Sequence, residues 1–221
     1  MVRTSTLLTS DCSSSSVRHA DRAPRLGADI EAERDRIVSA AWDALETGGW
    51  WGLKVESLLR RTGLSARSFY RNFASKNDLF VRLLLTESEQ AAKRIGDLLD
   101  HEPDPEVRVR MWISEMISYQ TPRQLEKTRM LLRLYREIEG QFPEDARTCL
   151  GLVLTPLVTA LELGRESGVF AGAAPHVAAV AVHHLCSGAL LDTSSRDSGE
   201  LVVEVTMAFA LRALTCPTDP A

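Results

Sequence analysis

His183 and Cys186 stand three residues apart, a spacing that puts two metal ligands on one helix face. No third ligand accompanies them, so packing is the expected role, with no metal and no cofactor. The sequence holds no GxSxG elbow, P-loop or GxGxxG cradle, and no carboxylate pair is set apart by its surroundings. An enzyme reading would have to rest on His183 or His184 alone, and the chain is read as a non-enzyme. The cations are more telling. Between residues 54 and 76, Lys54, Arg60, Arg61, Arg67, Arg71 and Lys76 face the single acid Glu56. Such a density of cations suits phosphates, and a guanidinium among them can bond O6 and N7 of guanine together.

The elements that must position these cations are two short helices around a tight turn. Val55–Arg61 and Ser65–Asn72 are joined by Thr62-Gly63-Leu64, and Leu58, Leu64, Phe69 and Phe73 supply apolar faces. This is the pattern of a helix-turn-helix, whose second helix enters the major groove of double-stranded DNA. Ser65 is placed to cap that helix. Near its start Ala66, Arg67 and Ser68 reach base edges, with Arg67 the best base reader. Tyr70, Arg71, Asn72 and Lys76 then address phosphates and fix register. Arg60 and Arg61 are read as solvated charges.

The run Gly63-Leu64-Ser65, Phe69-Tyr70-Arg71-Asn72-Phe73, Ser75-Lys76 and Leu79-Phe80 resembles the TetR family of bacterial transcriptional regulators, specifically over residues 34–82. The resemblance implies that Tyr70 and Lys76 grip the operator backbone. It also implies a helical body behind residue 82 with a small-molecule effector pocket and a dimer interface. Two departures stand out. Leu53-Lys54 replaces a capping threonine, so Lys54 can reach a phosphate but cannot cap, and Asn72 stands where the family has histidine.

Composition alone points elsewhere. The 221 residues carry 26 Lys and Arg against 30 Asp and Glu, a net charge of −4 that argues against a nucleic-acid partner. The acidity lies in residues 77–221, and residues 1–76 are net basic, an asymmetry expected of a DNA-binding module joined to another domain. Cys12, Cys149, Cys186 and Cys216 show no paired spacing, and no apolar leader precedes residue 28, so a reducing, cytoplasmic setting is expected. The charge-free stretch 167–191 is broken by Pro175 and too short to span a membrane.

Helical periodicity dominates, so the expected fold is all-α. The domains are read as a flexible tail over 1–28, a three-helix helix-turn-helix domain over 29–82, and a larger ligand-binding and dimerisation domain over 83–221. The first helix is expected over Asp29–Thr47, stopped by Gly48-Gly49, and a fourth from about Ser75 to Leu99. Helices over 105–119, 122–140, 143–167, 175–191 and 198–214 follow, most opened by a proline. Pro156 is expected to kink or split its helix. The small-residue helix 175–191 and the apolar helix 198–214 suit a homodimer interface. For the pocket, Trp112, Met116 and Tyr119 share a face, Met130, Leu134 and Tyr135 oppose them, and Phe170 or His184 closes the site. The function expected is a ligand-responsive regulator, a repressor on a palindromic operator. The alternative is an all-α binding or scaffold protein whose helix-turn-helix reads no operator.

Overall fold

A computed structural model describes residues 22–117, 122–191 and 199–216. Among them are nine helices and no strand: α1 (Arg22–Gly52), α2 (Val55–Thr62), α3 (Ala66–Asn72), α4 (Lys76–Leu99), α5 (Pro105–Ile117), α6 (Pro122–Gln141), α7 (Pro143–Glu166), α8 (Pro175–Leu191) and α9 (Gly199–Thr215). The fold is all-α, a small N-terminal helical domain followed by a larger helical one. Contacts divide the chain into two compact units, residues 1–74 and 75–221.

In the first unit α1 packs against both α2 and α3. Its buried stripe of Ile37, Ala40, Ala41 and Leu45 has the three-and-four spacing of one helix face. Leu53, Leu58, Phe69 and Phe73 complete this core, with the two phenylalanine rings 5.7 Å apart. The Arg34 guanidinium lies 5.8 Å from the centre of the Phe73 ring. α1 does not stop at Gly48-Gly49, as the sequence suggests, but starts at Arg22 and runs through both glycines to Gly52. Glycine costs roughly 1 kcal/mol per residue inside a helix but leaves every backbone hydrogen bond available, so it weakens a helix without ending it.

In the second unit α7 is central, packed on α4, α5, α6 and α8. The core joins Ile95 and Leu99 of α4, Trp112 and Ile113 of α5, Leu154 and Leu157 of α7, Ala179 and Cys186 of α8, and Leu211 and Leu214 of α9. Pro105, Pro122, Pro143 and Pro175 each open a helix, where a missing N–H removes nothing from the ladder. Pro156 does not split α7, which continues through it to Glu166. Among the described residues α7 is also the helix long and apolar enough to cross a membrane by length and composition.

Gly164, near the end of α7, has a packing reason to be glycine. A Cβ there would lie 2.1 Å from the Phe170 ring. The backbone N–H groups of Val169 and Phe170 both donate to the Gly164 carbonyl, and Gly168 takes the left-handed conformation at φ 75°. The turn thereby folds Phe170 back onto its own helix.

Candidate functional site

The recognition element is built by caps at both of its turns. α2 ends on Gly63 at φ 68°, a left-handed residue whose N–H donates to the Leu59 carbonyl. The Thr62 hydroxyl also donates to the Leu58 carbonyl at 2.9 Å. α3 then opens on Ser65, whose Oγ accepts from the Ser68 N–H at 3.1 Å. Lys54 precedes α2 without a capping side chain. Leu58 and Phe69 are fully buried and seat the two helices against α1.

The seating leaves Ala66, Arg67 and Tyr70 exposed on α3. The Tyr70 ring meets Phe69 edge-on at 5.3 Å, yet the residue is 60% exposed, so an apolar root carries a polar tip into solvent. Ser68 is half-buried and shares its hydroxyl with Ser65 at 3.2 Å. Arg71 pairs with Glu33 of α1. Asn72, expected at a phosphate, is instead 8% exposed, and its amide donates to the Ser68 carbonyl at 2.8 Å and to Glu33 at 3.4 Å. Its side-chain NH2 group is spent inside the unit, tying down the end of α3. Glu33, which the sequence reading missed, accepts from both residues. The Arg71 guanidinium beside it holds its carboxyl below the usual carboxylate range. Arg61 pairs with Asp43 at 2.8 Å, as a solvated helix-face charge would. Lys54 is exposed. Lys76 opens α4 in the second unit, with Nζ 5.5 Å from the Phe80 ring centre and partial burial lowering its pKa.

The second unit holds a cavity of about 560 Å³, a size usual for small-molecule sites. Met116 and Tyr135, two of the residues expected at the pocket, line it. Trp112 does not; it is fully buried in the core, and its indole N–H donates to the Val153 carbonyl at 3.3 Å. Met130 and Leu134 are also absent from the lining, because α6 turns Leu131, Leu132 and Tyr135 inward. Phe170 is packed over Gly164, away from this cavity. Tyr119 lies outside the described residues. His184 faces outward, and its neighbour His183, one helical step of about 100° away, borders the cavity instead. Cys186, weighed with His183 as a ligand pair, is a core residue.

The lining is mostly apolar, with Ser88, Cys149 and His183 as inner polar groups. Burial raises the Cys149 thiol and pushes Tyr135 up to about 12, with Glu139 adding to the latter. Burial, with a smaller effect of His184, lowers His183 to about 4, so the ring is neutral at neutral pH. The charged lining residues occur as pairs, Glu87–Lys127 at 2.8 Å and Arg94–Glu115 at 2.7 Å.

With this geometry in view, comparison with known proteins is specific. Residues 37–83 match the family model of bacterial regulatory proteins, tetR family. No curated protein matches the sequence. Among solved structures, a TetR transcription regulator from Haloarcula marismortui is 20% identical, with 83% of this chain and 97% of that one covered at a TM-score of 0.63. The fatty acid degradation regulator FadR from Bacillus halodurans is 16% identical over 81% of this chain and 94% of that one, at 0.66. The reduced form of NemR from E. coli is 20% identical over 84% and 99%, at 0.65. These TM-scores show a shared fold. Residues 37–83 thus carry the sequence pattern of the tetR family model, and the fold is one that solved TetR-family regulators share.

Proposed function

We propose that the protein is a ligand-responsive repressor that binds a palindromic operator as a homodimer in the cytoplasm. The observation that carries the reading is α3: a capped helix, anchored by Phe69, that offers Arg67 and Tyr70 to solvent. Arg67 reads a base in the major groove; Tyr70, Arg71, Lys54 and Lys76 hold phosphates. Ser65, Ala66 and Ser68 set the approach of the helix to the groove.

The dimer is supported by two adjacent helices. On α8 the exposed residues Val177, Ala181, His184 and Gly188 repeat at spacings of four, three and four. On α9 Leu201, Val205 and Phe209 form an apolar stripe, with Val205 57% and Phe209 67% exposed. α8 and α9 pack on each other, so both stripes can serve one interface. A two-fold dimer holds two recognition helices about 34–36 Å apart, matching successive major grooves. A small molecule in the α4–α8 cavity favours a state in which that spacing is lost, by a population shift in which α4 moves.

Arg67→Ala and Tyr70→Ala decide between this reading and a scaffold whose helix-turn-helix reads no DNA. An operator reader loses about 1–3 kcal/mol of binding free energy with Arg67→Ala and relaxes its preference at one base pair. Indifference of DNA retention to both substitutions would establish the scaffold.

A further inference from the structure

We infer that the cavity takes a neutral, largely apolar small molecule bearing one hydroxyl group, which pairs with Nδ1 of His183. The inference deepens the effector reading above and rests on it for its regulatory consequence.

His183 is 8% exposed, and its Nδ1 is buried without any hydrogen-bond partner. Nε2 has only the Ser187 hydroxyl, at a long 3.5 Å. A buried polar atom left unpaired is costly, and native structures rarely keep one without a use. Here the ring borders a cavity whose apolar wall includes Leu84, Ala91, Met116, Leu131, Leu150 and Val153, with Gln124 and Thr128 among its polar residues. In this conformation Nδ1 is not exposed to the free volume. The proposed pairing requires a turn about χ2, a torsion with a broad well. A hydroxyl suits Nδ1 in either imidazole tautomer, because it both donates and accepts.

Charge argues in the same direction. A neutral imidazole supplies no countercharge, and the remaining inner polar residues, Ser88 and Cys149, are uncharged. Glu87, Lys127, Arg94 and Glu115 are engaged with one another across helices. An ionised ligand group beside His183 would be desolvated without a counterion. The ligand's polar group is therefore neutral, and its body is apolar.

Three probes with one tail and different heads test this: 1-decanol, decanoate and decylammonium, titrated at neutral pH into the full chain while its melting temperature is followed. The expected result is saturable stabilisation by 1-decanol, with the two ions binding about tenfold more weakly or worse. His183→Phe weakens 1-decanol about three- to tenfold, and His183→Gln, which keeps a hydrogen-bonding group, recovers part of the loss. The comparison of heads on the unmutated chain stands even if His183→Phe does not fold. An ion that binds as tightly as 1-decanol, no shift with any probe, or full 1-decanol affinity in a folded His183→Phe would overturn the inference. DNA retention, measured in parallel, separates the two readings. Binding of 1-decanol with unchanged DNA affinity upholds the pocket chemistry and refutes the effector role; DNA release by an ion does the reverse.

Discussion

Glu33 is the residue that most changes the picture of the recognition helix. It belongs to α1, almost forty positions before the side chains it holds, yet it accepts from both Arg71 and Asn72. The carboxylate thus fixes the C-terminal end of α3, while Ser65 fixes the other end. Its pKa is depressed in the fold, so this stabilisation is complete above the ordinary carboxylate value of 4.5 and is lost as pH falls through the lower folded value. Glu33→Gln is expected to lower the melting temperature of the helix-turn-helix unit at neutral pH. The difference from the unmutated chain should vanish in strong acid, and a pH series of thermal melts checks both points. Tyr70, Arg67 and the Ser65 cap are legible in the sequence because each follows from local spacing around Gly63. Glu33 is not, since a long-range ion pair leaves no periodic trace. The same holds for Asn72. Its type suits a phosphate contact, and only the fold shows that its amide points inward.

At the scale of elements, most boundaries follow from local chemistry. Gly63 and Ser65 bracket the turn, and four prolines open helices where their missing N–H does no harm. The exceptions share a cause. Gly48-Gly49 and Pro156 are breakers by propensity, yet both helices continue through them: glycine's cost of about 1 kcal/mol and proline's of about 3 kcal/mol yield to the rest of each element. The pocket was legible only in part for a geometric reason. Periodicity defines a face but not its angle: Met116 and Tyr135 border the cavity, and so does His183 rather than His184, one residue away. On α4 the signal was present but unread: Leu84, Ser88 and Ala91, at spacings of four and three, line one wall. The turn between α7 and α8 offers a sharp test. In Gly164→Ala the new methyl meets the Phe170 ring at 2.1 Å, so the ring must move off its seat. The expected cost is about 1–3 kcal/mol of stability in the second unit, read by denaturant unfolding, and Phe170→Leu in the same background should recover part of it.

At the scale of the whole molecule, the net charge of −4 conceals the organisation that matters. A basic helix-turn-helix unit precedes an acidic helical body, and the two have separate cores. In the body, α8 and α9 turn Val177, Val205 and Phe209 outward, each more than half exposed, while burying Ala179, Cys186, Ala210 and Leu211 inward. If this face is the dimer interface, Phe209→Glu should convert the protein to a monomer in sedimentation experiments and weaken operator binding without lowering the melting temperature of the helix-turn-helix unit. The claim on which every other rests is that α3 reads DNA. It is tested most directly by passing fragments of the host genome over the purified full chain and sequencing what is retained, with Arg67→Ala as the control. The account predicts an enriched inverted repeat with half-sites one helical turn apart, about 10 base pairs, that is lost in Arg67→Ala. Retention of no fragment at low salt, or of the same fragments by Arg67→Ala, would contradict it.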